Sequence, residues 1–182
     1  MQRIQKLEKP EGKSEELLGA VRKSLGVTPN MFTTMANSPS SLKGYLDFNK
    51  ALTSGKLKNG VRESLALTVA GYNGCDYCAS AHSYLGENQA HLSKEELQLN
   101  LRGRSSDQKK QAALSFARKL LEKRGQISQH DLDDVKAAGF EEDEVIEILS
   151  HVALNILTNY FNEAFLVEVD FPRVQAKETA AV

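Results

Sequence analysis

Helix start and stop signals follow one another along this chain and leave no stretch that pairs as a sheet. Residues 14–25 carry acidic side chains in their first turn, and Gly26 stands just past the end, which suits the helix dipole and a C-terminal cap. Pro29 opens a short helix to 36, and Pro39 opens the next, with Leu42, Tyr45, Leu46 and Phe48 mostly on one side. Over 58–72, Val61, Leu65, Thr68, Val69 and Tyr72 recur at helical spacing, closed by Asn73-Gly74. A short helix over 75–85 follows. Ser93 with Glu96, and Ser105 with Gln108, read as capping boxes before helices that end near Leu101 and Gly125. Ser128 caps 129–138 ahead of Gly139, and 141–165 is the longest helix. Residues 167–174 alternate weakly, but Pro172 interrupts them and no partner strand is evident. The expected fold is all-α. It is an orthogonal or antiparallel bundle in a single domain over 1–182, with a core at 39–165 and 166–182 as an extended or frayed tail.

Composition excludes whole classes of function. Lys and Arg number 23 against 24 Asp and Glu, so the net charge of -1 lacks the basic excess of a general nucleic-acid binder. No apolar run approaches the roughly 18 residues of a membrane span, and the opening residues have no apolar signal-peptide core. The expected location is the cytoplasm. The only 2 cysteines, Cys75 and Cys78, are too few for a disulfide-dense scaffold. A CxxC pair in the cytosol is more often catalytic, redox-active or metal-binding than a permanent staple. A thioredoxin-type CxxC follows a strand, whereas this pair follows a helix.

Cys75, Cys78 and His82 lie at i, i+3 and i+7, one face of a helix. Cys75 sits at the helix start behind Gly74, where free N–H groups and the dipole favour thiolate. His82, four residues after Cys78, can approach that sulfur directly or through water. Glu63 lies twelve residues before Cys75, about 18 Å away along an unbroken helix. If Asn73-Gly74 breaks the chain into two antiparallel helices, Glu63 can stand opposite His82 and serve it as proton acceptor or relay.

The string from Arg62-Glu63 through Cys75-Asp76-Tyr77-Cys78 to Ala81-His82 resembles the alkylhydroperoxidase D-like branch of the carboxymuconolactone decarboxylase superfamily. The resemblance rests on about 20 residues: Glu, eleven residues, CxxC, three residues, His. It implies the helical bundle of that branch, with the CxxC at the start of a short helix. It implies Cys78 as the peroxidatic cysteine, Cys75 as the resolving one, and His82 with Glu63 as the proton relay. Tyr77 departs from the histidine that some members carry there. The implied function is a thiol-dependent peroxidase or thiol–disulfide oxidoreductase. Its partners would be a hydroperoxide substrate and an external dithiol, thioredoxin-like or lipoyl-type. The implied assembly is a homo-oligomer, trimer or hexamer.

Two other readings stay open. One is a redox switch in an oligomeric binding protein. The other is lactone decarboxylation, against which the CxxC itself argues, because decarboxylase members lack it. A zinc set of Cys75, Cys78, His82 and Glu63 or His151 lacks the second close ligand pair usual in structural sites, so neither metal nor cofactor is expected. The late helix carries a polar stripe, Glu147, His151, Asn155, Asn159 and Asn162, on an apolar segment, which fits a buried seam near the thiols, an oligomer contact or a solvent face. Glu147 also precedes Asn159 and Asn162 by the same 12 and 15 residues that separate Glu63 from Cys75 and Cys78. That echo is either chance or the trace of a duplicated hairpin.

Overall fold

Nine helices make up the regular structure among residues 1–177, which the computed structural model of the chain describes. The expected tail runs past them, so its part at 178–182 lies outside the described residues. The helices are α1 (Gly12–Leu25), α2 (Asn30–Met35), α3 (Pro39–Thr53), α4 (Asn59–Asn73), α5 (Asp76–Asn88), α6 (Lys94–Leu101), α7 (Gln108–Glu122), α8 (Gln129–Ala137) and α9 (Glu142–Phe165). No strand occurs among the described residues. The all-α expectation therefore holds.

Caps explain most boundaries, and two differ from the expected chemistry. Ser93 accepts from the Glu96 N–H, but the Glu96 carboxylate turns away to Ser105, Ser106 and Asn100, so the box is only half made. α7 is capped by Asp107, which accepts from the Lys110 N–H, and Ser105 bonds Glu96 instead. A carboxylate one residue before the helix meets the free N–H groups more directly than a serine two residues further back. Ser128 and Asp131 form a complete box on α8.

α4 is the central post. Its residues from Ser64 to Ala70 are all buried, and it packs on α5, α6, α7 and α9. One side carries Leu65 and Val69 into a cluster with Leu114, Phe116 and Leu120 of α7 and Ile148 and Val152 of α9. The other carries Leu67 and Ala70 toward both cysteines, Leu97 and Leu101. Full burial of such a leucine contributes about 2 kcal/mol. α4 and α6 approach closely at Gly71, where an added Cβ would lie 1.9 Å from the Leu101 carbonyl oxygen. α4 ends at Gly74, whose φ of 76° is left-handed and reverses the chain into Cys75.

The packed core reaches beyond 39–165. Leu18, Val21, Met31, Met35 and Ala36 are buried on one flank, and Val167 and Ala176 on the other. Residues 166–177 form an extended strap across the start of α5. Within it the Val174 N–H donates to Ser80 Oγ at 2.9 Å, and the Ala176 N–H donates to Asp76 Oδ1 at 2.9 Å. These bonds satisfy strap backbone groups that have no ladder to join.

Candidate active site

The break at Gly74 folds α5 back beside α4, and this brings the two halves of the sequence pattern together. Cys75 is the N-cap of α5 rather than its first helical residue, and its sulfur accepts from the Cys78 N–H at 3.3 Å. The two cysteines are joined as a disulfide, with Cα atoms 5.3 Å apart. Both are buried, Cys75 at 0% and Cys78 at 3% exposure. One turn further along α5, His82 Nδ1 lies 2.8 Å from Glu63 Oε2. The expected pairing across antiparallel helices is thus present. With the carboxylate accepting from Nδ1–H, a neutral ring keeps Nε2 as its unprotonated nitrogen.

A cavity of about 580 Å3 opens onto this group. Cys78, His82, Glu63 and Tyr77 line it, whereas Cys75 does not. Much of the remaining wall is apolar, including Met31, Phe32, Leu46, Leu85, Leu154 and Phe171. Of the two cysteines, Cys78 lines this cavity, and Cys75 is fully buried behind it.

The side chain that bonds the Cys78 sulfur is one the sequence placed only in the late polar stripe. Asn162 Nδ2 lies 3.3 Å from Cys78 Sγ and 3.5 Å from Met31 Sδ. The structure records no bond from His82 to that sulfur. The stripe does not act as one unit. Glu147 leaves the site to accept from the Lys56 and Leu57 N–H groups, at 2.9 and 3.0 Å. Asn159 accepts from Asn73 Nδ2 at 3.1 Å, just before the CxxC turn. His151, Asn155 and Asn162 line the cavity. Both asparagines of the twelve-and-fifteen echo thus meet the chain at or beside the thiols.

Burial sets the protonation of the wall. His151 is 4% exposed, and desolvation pushes its imidazole down to about 4, so it is neutral at physiological pH. Tyr45 is pushed up to about 12, first by burial and then by Glu63. Burial also lifts the Tyr77 phenol far above its usual range. Its oxygen accepts from the Met31 N–H at 3.1 Å, and its ring stands edge-on to Phe171 with centroids 5.8 Å apart. Tyr77 therefore packs and positions as a neutral phenol, a part a titrating histidine would not play. Among the described residues, no group of three or more His, Cys, Asp or Glu side chains is arranged to hold a metal ion. No helix among them is long and apolar enough to cross a membrane.

Fold and site together define an all-helical protein with a dithiol centre at the head of a helix. The profile of the carboxymuconolactone decarboxylase family matches residues 39–123, the stretch that holds Glu63, both cysteines and His82. That match covers the stretch holding the site, and the helical fold is the one seen in alkylhydroperoxidase D-like structures, so the chain is similar to the carboxymuconolactone decarboxylase family in this region. The chain is similar to a crystal structure described as an alkylhydroperoxidase AhpD core, an uncharacterized peroxidase-related protein from Ralstonia eutropha JMP134. That likeness has a TM-score of 0.79 at 20% identity and covers 91% of this chain and 92% of that one. An uncharacterized peroxidase-related protein from Silicibacter sp. TM1040 gives 0.74 at 23% identity, over 88% and 86%. The debrominase Bmp8, solved with 2,3,4-tribromopyrrole, gives 0.77 at 19% identity, over 92% and 91%. No curated protein matches the chain.

Proposed function

We infer that this protein is a thiol-dependent peroxidase that reduces hydroperoxides through Cys78 and Cys75. The observation that carries the reading is the placement of Cys78 in the cavity wall beside the Glu63–His82 pair, with Cys75 in disulfide reach behind it. His82 takes the Cys78 proton while Glu63 holds the imidazole in place. The thiolate attacks the distal oxygen of the hydroperoxide. The O–O bond breaks, the alkoxide takes the proton from His82 and leaves as an alcohol, and Cys78 becomes a sulfenic acid. The Cys75 thiol condenses with it, releasing water and forming the disulfide. An external dithiol, thioredoxin-like or lipoyl-type, then reduces the pair and is itself oxidised to a disulfide.

A second reading has its own support in the debrominase fold neighbour and the apolar cavity. In that reading the same two electrons reduce a carbon–halogen bond and release halide. Steady turnover of cumene hydroperoxide and of a brominated pyrrole, each with a supplied dithiol, separates the two. Peroxide consumption that Cys78→Ser abolishes supports the peroxidase, whereas bromide release without peroxide consumption overturns it. A single oxidation per chain with either acceptor would leave only a redox switch. Glu63→Gln, which removes the proton relay but keeps the shape, slows peroxide turnover by about 100-fold or more. The reading also includes a cytoplasmic setting and a homo-oligomer, whose copies meet along the apolar outer stripe of α9. Ile146, Leu149, Leu157 and Tyr160 are all exposed there.

A further inference from the structure

Asn162 has two amide atoms with different fates. Its nitrogen faces two sulfurs, Cys78 Sγ at 3.3 Å and Met31 Sδ at 3.5 Å. In the disulfide state neither sulfur carries a hydrogen, so only the amide N–H can supply the proton of these contacts. Among the described residues the amide oxygen has no partner, although the residue is only 2% exposed. Leaving such an acceptor unmade costs free energy, and orphaned polar groups of this kind gather where a ligand completes them. The residue lines the same cavity as Cys78.

We propose that Asn162 is a catalytic residue that holds both partners of the reaction, donating to the Cys78 thiolate through Nδ2 and accepting the hydroperoxide O–H through Oδ1. The inference rests on the peroxidase reading above. The O–H of a hydroperoxide is carried by its distal oxygen, the atom the thiolate attacks. An amide that accepts this hydrogen therefore sets the electrophilic oxygen beside the nucleophile it already bonds. Reacting atoms placed at contact distance are what intramolecular rate advantages require. The N–H donor lowers the energy of the thiolate and has less to offer the neutral thiol, so it also favours ionisation. The proton balance stays with His82, which receives the thiol proton and returns it to the departing alkoxide. Asn162 transfers none.

The test compares Asn162→Leu with the wild type, each also carrying Cys75→Ser so that Cys78 reacts alone. Two single-turnover rates are read at pH 7: alkylation by iodoacetamide and oxidation by cumene hydroperoxide. Alkylation needs only the thiolate and is expected to slow about tenfold, equivalent to about 1.4 kcal/mol. Oxidation loses the second hydrogen bond as well and is expected to slow about 100-fold or more. Asn162→Ser, which adds no bulk, carries the same expectation should the leucine variant fold poorly. Equal slowing of both reactions would mean a packing role and overturn the proposal, as would no slowing of either. The alkylation arm does not depend on any peroxidase activity. If the wild type ignores hydroperoxide yet the variant still alkylates slowly, the functional reading fails while the thiolate contact stands. If the wild type turns hydroperoxide over and the variant matches it, the contact fails and the function stands.

Discussion

Mild acid destabilises this fold through His151. Burial pushes its imidazole down to about 4, against an ordinary value of 6.5. Arg62 and His82 push in the same direction, and Glu147 and Glu63 oppose them. The folded value lies below the unfolded one, so on acidification the unfolded chain takes up a proton that the folded chain refuses. Stability is then full above about pH 7 and falls as the pH drops through 6.5 toward 4. With those two values, linkage gives a loss of about 2 kcal/mol at pH 5 and about 3 kcal/mol at pH 4. His151→Leu removes the titrating group and replaces Nε2, which has no partner among the described residues, with apolar volume. Urea unfolding of both proteins, at one fixed protein concentration from pH 8 to pH 4, supplies the comparison. The stability of the variant relative to wild type should rise by about 2 kcal/mol between pH 8 and pH 5. A gap that stays constant across that range would refute the claim that His151 is held neutral by burial.

Three further outcomes follow from named contacts. Burial alone would raise the Glu96 carboxyl, but hydrogen bonds from Ser105, Ser106 and Asn100 more than offset it and hold the group at about 2. Glu96→Gln should therefore cost about 2–3 kcal/mol at pH 7 in denaturant unfolding, and the difference should fade as the pH falls from 4.5 toward 2. Gly71→Ala drives a methyl into the Leu101 carbonyl and should lower stability by about 3 kcal/mol or more, seen as a drop in melting temperature of at least several degrees. Under the proposed homo-oligomer, Leu157→Glu on the outer face of α9 should give a monomer in sedimentation where the wild type sediments as an oligomer, with the helical circular dichroism unchanged.

Legibility in the sequence tracked the distance over which each feature is made. Gly26 and Gly74 announced helix ends because a left-handed cap is a local demand, met within one turn. Glu63, Cys75, Cys78 and His82 were readable as a group because one hairpin holds them all, and a turn signal at Asn73-Gly74 was enough to fold it. Asn162 lies 84 residues from Cys78 and reaches it only through the packing of α9 against α4 and α5. Its signal was present as the matched spacing behind Glu147, but nothing in that spacing says which asparagine meets a sulfur. Glu96 shows the opposite failure. Its spacing from Ser93 satisfied a local rule, yet a denser set of donors from the next loop drew the carboxylate away. The strap at 166–177 was hidden for a third reason. An extended segment without a ladder has no periodicity of its own, and its Val167 and Ala176 become core residues only against α5 and its neighbours.

The strap also sets an order of events during synthesis. Residues 167–177 follow α9 in the chain, so Cys75 and Cys78 are translated before Phe171, Val174 and Ala176, the side chains that pack against their cluster. Until the strap is laid down, both cysteines lack the Val167, Phe171, Val174 and Ala176 side chains that pack on their cluster. The folded protein keeps Cys75 fully buried behind that cover and leaves Cys78 in the cavity wall.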